Sequence, residues 1–117
     1  MTNRKKLREF VDMFPDIIDW VALSEKESLS ENFIREHADK VDWDKISQYQ
    51  TLSEKFIREF KDRVNWAWIS RSQKLSENFI REFEDKVKWT LIFVFQEYSS
   101  DFRKEFMYKL EEKKYIH

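Results

Sequence analysis

Glycine is absent from this chain of 117 residues, and proline occurs once, at Pro15. Tight β-hairpins favour Asn-Gly and similar turns, so the lack of glycine argues against a sheet protein. The same lack excludes glycine-rich phosphate loops and dinucleotide fingerprints. Cysteine is also absent, which excludes disulfides, thiolate nucleophiles and cysteine-based metal sites. These absences leave a helical protein as the prediction.

Charge and hydrophobicity narrow the class of protein further. The chain has 22 basic and 23 acidic residues and a net charge of −1, whereas a free-standing nucleic-acid-binding domain is usually basic. Its longest apolar run, Leu91 to Phe95, is far too short to span a bilayer. The start, MTNRKKLREFVDMF, lacks the apolar region of a signal peptide. We therefore expect a cytoplasmic protein that does not use a membrane.

One phrase occurs three times at an offset of 23 residues: LSENFIREHADKVDW from Leu29, LSEKFIREFKDRVNW from Leu52 and LSENFIREFEDKVKW from Leu75. A fixed period of this size is typical of stacked supersecondary units. Apolar residues recur at the same offset beyond the phrase, and two of these columns begin at Phe10 and Phe14. The residues that the repeat predicts for the core are Trp20, Trp43, Trp66, Trp89, Phe33, Phe56, Phe79, Ile46, Ile69 and Ile92.

Each unit has the pattern of two short helices, about ten and eight residues long. Ser30 is placed to cap the first helix, with Leu29 and Ile34 as a hydrophobic staple. Asp42 takes the cap position of the second helix, and Asn65 takes it one unit later. Lys88 stands at that position in the third copy, where the side-chain cap is expected to be lost.

These patterns predict one all-α domain over residues 1–117, a short α-solenoid of 23-residue helical hairpins. The predicted units cover residues 6–28, 29–51, 52–74 and 75–97, and residues 98–117 form a capping helix of about 14 residues from near Asp101. An all-apolar helix face at Leu91–Phe95 must be covered. We expect this C-terminal helix to be the main cover, with a homodimer through that end or an external partner as alternatives to a covered monomer.

The phrase LSENFIREFEDKVKW, together with ISQYQ and ISRSQ, resembles short LSExFIxxFxDKVxW tandem repeats in proteins of bacteria, phages and giant viruses. The resemblance covers roughly residues 29–90. It implies a repeat scaffold with a viral or mobile-element origin, and hence an inhibitor of a host or defence protein. It supplies no catalytic residues. The chain departs from the pattern at His37, at Lys88 and in TLIFVFQ.

The sequence offers no catalytic or metal-binding constellation. His37 occupies a column otherwise filled by phenylalanine and is best explained as an imidazole that replaces a core ring. Ser47 and Ser70 have no general base at a spacing that would activate their hydroxyls, and we expect them on the polar surface. No His-Glu-x-x-His or Ser-His-Asp pattern occurs. We predict no cofactor, no metal and no enzymatic activity.

Two kinds of partner remain open. Arg35, Arg58 and Arg81 form a basic column that could follow the phosphates of a nucleic acid, but Glu36, Glu59 and Glu82 follow them directly. Adjacent columns of opposite sign favour ion pairs between units, so nucleic-acid binding is the alternative. A protein-binding scaffold is the leading prediction. Its candidate contacts are aromatic residues in variable columns and cations of the middle unit: Tyr49, Trp68, Arg71, Lys74 and Arg58.

Overall fold

The computed structural model describes residues 2–110 of the chain, with side-chain burial from residue 5 onward. Within this part there are nine α-helices, one short 3-10 helix and no strand, which confirms the predicted all-α class. The elements are α1 (Thr2–Met13), a 3-10 helix (Pro15–Ile17), α2 (Trp20–Lys26), α3 (Glu31–Glu36), α4 (Trp43–Tyr49), α5 (Glu54–Glu59), α6 (Trp66–Ser72), α7 (Glu77–Glu82), α8 (Trp89–Phe95) and α9 (Ser100–Phe106).

The helices alternate between two rows. The first helices of the units are α3, α5 and α7, and the second helices are α2, α4, α6 and α8. Each second helix packs against the next one, so that α2, α4, α6 and α8 form a continuous row. The molecule measures 52 × 30 × 20 Å, an elongated shape that suits stacking in one direction. The structure is therefore a short helical-repeat solenoid, as predicted.

The predicted helix caps are present. Ser30 Oγ accepts a hydrogen bond from the backbone N–H of Phe33 at 3.1 Å, and the same contact recurs at Ser53 and Ser76. Asp42 caps α4 and Asn65 caps α6 through their side-chain oxygens. Lys88 makes no side-chain cap to α8, as its chemistry predicts. These caps fix where each short helix begins.

The first helices are shorter than predicted, at six residues rather than about ten. The reason lies in the following tryptophan, whose indole N–H donates to a carbonyl five residues earlier. Trp43 bonds to the carbonyl of Ala38 at 3.0 Å, and Trp66 bonds to that of Lys61 at 2.9 Å. These side-chain bonds satisfy carbonyls that a longer helix would have paired. None of the described residues has a positive φ, so these helix ends need no glycine.

The inward columns form one core along the stack. Ile46, Ile69 and Ile92 are fully buried, and Phe33, Phe56, Phe79 and Trp89 are buried beside them. Trp20, Trp43 and Trp66 are only partly buried and pack against this core. Each tryptophan contacts a pair of rings from the next unit: Trp43 lies 6.2 Å from Phe56 and 5.0 Å from Phe60. The tryptophans therefore join one unit to the next.

The first unit departs from the predicted columns. Phe10 is 45% exposed and Phe14 is 44% exposed, so neither continues the phenylalanine columns into the core. Val11 is buried instead, at 1% exposure. The reason is that α1 is a single helix of 12 residues rather than a capped six-residue helix, and it therefore turns a different face inward.

The C-terminal end also differs from the prediction. Helix α9 has seven residues, ends at Phe106 and presents Phe102 and Phe106 to Trp89. Helical backbone resumes at residues 108–110, and the rest of the predicted capping helix lies outside the described residues. Along the apolar run of α8, Phe93 packs against Tyr98 and Phe102, but Val94 and Phe95 stay exposed. Helix α9 thus covers one side of α8.

None of the helices that the structure describes combines the length and the hydrophobicity that crossing a membrane requires.

Candidate partner-binding face

A glutamine at the end of α4, α6 and α8 ties each of these helices to the unit before it. The side-chain N–H groups of Gln50 donate to the carbonyls of Ser24 at 2.8 Å and Glu27 at 2.6 Å, and its oxygen accepts from Leu29 N at 2.9 Å. These carbonyls belong to the C-terminal end of α2, where helices leave such groups unpaired. Gln73 and Gln96 make the same contacts one and two units later. We call this set the glutamine ladder.

Serines of the second helices complete these connections, and here the sequence-based prediction was wrong. Ser47 and Ser70 are fully buried rather than on the surface. Ser47 Oγ accepts from the backbone N–H of Asn65 at 2.9 Å, and Ser70 Oγ accepts from that of Lys88 at the same distance. A hydroxyl can be buried at little cost when it is hydrogen-bonded in this way. Both serines are therefore structural residues of the junctions between units.

The arginine column of the first helices pairs with glutamates one unit further along. Arg35 bonds to Glu59 at 2.9 Å and Arg58 bonds to Glu82 at 2.7 Å, each through two hydrogen bonds. Arg81 continues the ladder to Glu105. The hydrogen bond from Arg58 holds the pKa of Glu82 below its ordinary value, and the same bond raises the pKa of Arg58. The positive charges of this column are thus matched within the protein.

What remains for recognition is the outer face of the second helices. Positions i, i+3 and i+4 of a helix lie on one side, and on α4, α6 and α8 these positions differ from unit to unit. They are half-buried or exposed, in contrast to the constant inward columns. We define the second-helix face as Lys45, Gln48, Tyr49, Trp68, Arg71, Ser72, Leu91, Val94 and Phe95.

Arg71 is held in place at the centre of this face. Its guanidinium carbon lies 5.5 Å from the ring centre of Trp68 and 4.8 Å from that of Phe95 on the next second helix. Contact with these two aromatic rings restricts the guanidinium and leaves its N–H groups available. Unlike Arg35, Arg58 and Arg81, Arg71 has no ion pair with a carboxylate in residues 5–110. It is a positioned cation that can receive an anionic group.

An open groove of about 440 Å³ adjoins Arg71. Lys74 lines this groove together with Phe95 and Glu97. The groove therefore places two cations beside an exposed aromatic ring, with one carboxylate at its border. A carboxylate that enters it meets a planar donor in Arg71 and a mobile ammonium in Lys74.

Tyr49 lies on the same face, on α4. It is 48% exposed, and the ammonium of Lys45 lies 5.7 Å from its ring centre. Trp68 is half-buried rather than fully exposed. Of the predicted contact residues, the structure brings Trp68, Arg71 and Lys74 together. Arg58 stands apart on α5 in its ion pair with Glu82, which removes the reason for including it among the contacts.

His37 packs as an aromatic ring. Its centroid lies 4.4 Å from that of Phe33 and 5.4 Å from that of Trp20. Its Nδ1 is 2.9 Å from the carbonyl of Phe33, and its Nε2 is 3.7 Å from a carboxylate oxygen of Asp12. Those neighbours account for its place in the phenylalanine column. In the described part of the chain, no group of three or more His, Asp or Glu side chains is arranged to hold a metal ion.

Sequence reasoning missed the glutamine ladder, although its signal was present. Gln50, Gln73 and Gln96 recur at the offset of 23, and only the first unit differs, with Glu27 in this column. A polar residue that is invariant between units needs a partner fixed by the repeat, which here is the backbone of the preceding unit. Phe95 was also missed, although it shares a column with Tyr49 and Ser72.

No protein-family model matches the chain, and comparisons with curated proteins and with solved structures give no match either.

Proposed function

We propose that this protein is a non-enzymatic scaffold that binds an acidic segment of a partner protein on its second-helix face. One observation carries the proposal: Arg71 is the cation that the stack positions between two rings and leaves without a carboxylate among residues 5–110. The arginines of the first helices, in contrast, are paired with glutamates of the next unit. A carboxylate of the partner would form an ion pair with Arg71. An apolar or aromatic side chain next to that carboxylate would pack on Phe95 and Tyr49.

The difference between the two rows of helices supports the same proposal. First helices keep the residues of the arginine–glutamate ladder constant and differ from one another only where Lys55 replaces Asn32 and Asn78. Second helices vary at the nine positions of their outer face while their inward columns stay constant. Repeat scaffolds recognise targets through variable positions on a constant framework. A role as a phage or mobile-element inhibitor of a host or defence protein belongs to this proposal through the sequence resemblance alone, and an intracellular setting belongs to it as an expectation from the sequence.

A displayed library of random peptides tests the proposal, because it samples many combinations of charged, aromatic and aliphatic residues. Selection on the wild-type protein should enrich peptides with Asp or Glu beside an aromatic or aliphatic residue. Those peptides should bind Arg71→Glu at least about tenfold more weakly, since the central cation is reversed. Lys86→Glu makes the same change of charge at an exposed position outside the face and should leave binding intact. Selected peptides that bind Arg71→Glu as well as the wild type, or a selection without binders, would reject the proposal.

Nucleic-acid binding is the second candidate, and the ion pairs of the arginine column count against it. Cations that are already paired release fewer counterions from a phosphate backbone. We expect no tight binding of RNA or DNA at physiological salt in fluorescence anisotropy. Submicromolar, salt-dependent binding that Arg58→Ala and Arg81→Ala weaken would reverse this order of the two candidates.

A further inference from the structure

A second exposed surface lies at the N-terminal end of the stack, apart from the second-helix face. Met13 is 68% exposed and Ile17 is 70% exposed, and Phe10 and Phe14 are nearly half exposed. Isolated apolar residues are common on surfaces, but several together mark an interaction site. These four residues are called the N-terminal stripe here.

The backbone places the members of the stripe on one side of the chain. Phe14 N donates to the carbonyl of Phe10 at 2.9 Å, which continues the turn of α1 past its end at Met13. Ile17 N donates to the carbonyl of Phe14 at 3.3 Å, in the tighter turn of the 3-10 helix. Residues joined by such bonds lie one above the other along a helical path. The rings of Phe10 and Phe14 are in contact, with centroids 5.2 Å apart.

The charges within the segment that carries the stripe have one sign. From residue 9 to residue 25 the chain has five acidic residues and no basic one. Glu9, Asp12, Asp16 and Asp19 are exposed, and Glu25 is half-buried. Two neighbouring cations are engaged, because Arg8 pairs with Glu36 and Lys45 lies 3.7 Å from Glu25, whereas Lys6 is exposed one helical turn before Phe10. The acidic residues of this segment therefore outnumber the cations beside the stripe, and Asp12 also faces the imidazole of His37.

We infer that the N-terminal stripe binds a cationic amphipathic helix of a partner protein. An apolar groove or face with acidic borders is complementary to a helix that carries leucine-like residues on one side and lysine or arginine on the other. A second copy of this chain that used the same stripe would bring two acidic borders together, which is unfavourable. The inference does not depend on the acidic ligand proposed for the second-helix face, because the two surfaces have opposite charge and share no residue.

The test uses a fluorescent helical peptide of leucine and lysine at helical spacing and a matched peptide of leucine and glutamate. The leucine–lysine peptide should bind the full chain saturably, more weakly at high salt, and the leucine–glutamate peptide should not bind. The double variant Met13→Asp with Ile17→Asp should weaken binding at least about tenfold, because it removes the most exposed apolar side chains of the stripe. Loss of two border charges in Glu9→Gln with Asp16→Asn should weaken binding and reduce its dependence on salt.

Met107→Asp is the matched control, since Met107 is 45% exposed but lies at the C-terminal end of the stack, outside both surfaces. It should bind the leucine–lysine peptide as the wild type does, with circular dichroism confirming that all variants remain helical. Equal binding of both peptides, or equal binding by the Met13/Ile17 variant, would overturn the inference. So would sedimentation showing a wild-type dimer that this variant abolishes, since the occupant would then be a second copy.

Discussion

Single polar residues decide how one unit meets the next. Each glutamine of the ladder satisfies two carbonyls of the preceding unit and the first N–H of its own unit, and the buried serines and the glutamates of the first helices add further bonds that recur from unit to unit. A hydrophobic column alone lets neighbouring helices slide along each other, whereas these directional hydrogen bonds form in only one register of the helices. The ladder therefore explains why the stacked units hold a single arrangement.

Gln73 is the sharpest test of this explanation. Its replacement by leucine leaves two carbonyls and one N–H without partners in a buried junction, so we expect the free energy of unfolding to fall by about 3 kcal/mol. Gln48→Leu is the control, because Gln48 lies on the outer face of α4 and should change stability by less than about 0.5 kcal/mol. Urea unfolding measures both. Equal effects in the two variants would show that the ladder contributes little.

Trp66 packs within the stack, whereas Trp68 lies on the outer face, so we expect their replacement to affect stability differently. Trp66 contacts Phe79 and Phe83 and donates to the carbonyl of Lys61. Because Trp66 is only partly buried, we expect Trp66→Ala to cost about 2–4 kcal/mol, at the lower end of the range for a core aromatic. Trp68→Ala should cost less than about 1 kcal/mol. A larger loss for Trp68 would place it in the framework and remove it from the recognition surface.

The ion pair between Arg58 and Glu82 predicts how the stability of the fold depends on pH. The hydrogen bond from Arg58 lowers the pKa of Glu82 below 4.5 in the folded protein. The pair thus contributes stability above that ordinary value, and the contribution is lost as the pH falls through the lowered pKa. Carboxyl NMR titration should find a midpoint below 4.5 that returns towards it in Arg58→Ala. An unchanged midpoint would mean that the ion pair does not form in solution.

The helices show which parts of the fold the sequence made predictable. Caps, staples and apolar columns are local patterns, and they predicted the positions of α3 to α8 well. Helix lengths were not predictable, because each first helix is followed by a turn in which an indole binds a carbonyl two residues past the helix end. The burial of Ser47 and the exposure of Phe10 escaped prediction for a related reason, since both depend on contacts with other helices.

The missing cap of α8 offers a gain of stability. Lys88 stands where Asp42 and Asn65 cap α4 and α6 with a side-chain oxygen. We expect Lys88→Asn to raise the free energy of unfolding by about 1 kcal/mol, because it supplies an acceptor to an unpaired N–H of the first turn. Lys86→Asn makes the same exchange two residues before the cap position and should bring no such gain. A thermal melt that ranks the two variants equally would contradict the capping account.

The whole molecule is a stack whose two ends differ from its middle. At the C-terminal end, the hydroxyl of Tyr98 donates to the carbonyl of Phe93 at 3.1 Å. That carbonyl stands in the column where Gln50, Gln73 and Gln96 bind the serine carbonyls of earlier units. Tyr98 therefore ends the glutamine ladder, and α9 covers the last tryptophan. An end built in this way limits further stacking.

Truncation after Gln96 tests the covering role of α9. The shortened chain loses Tyr98, Phe102 and Phe106, which exposes Trp89 and Phe93. We expect aggregation, or a fall in the free energy of unfolding of at least about 3 kcal/mol. A shortened protein that is monomeric and as stable as the full chain would show that α9 is dispensable.

Excision of one unit tests the central claim, that the 23-residue unit is a packing module and that recognition belongs to its variable outer face. Removing residues 52–74 lets Gln96 reach the carbonyls of Ser47 and Gln50, so the variant should unfold cooperatively as a helical protein. It also lacks Trp68 and Arg71 and should lose the acidic peptides while still binding the leucine–lysine peptide. Removing residues 57–74, a shorter deletion that breaks the register, should prevent folding. An excised variant that is unfolded, or that is folded and still binds the acidic peptides, would contradict the account.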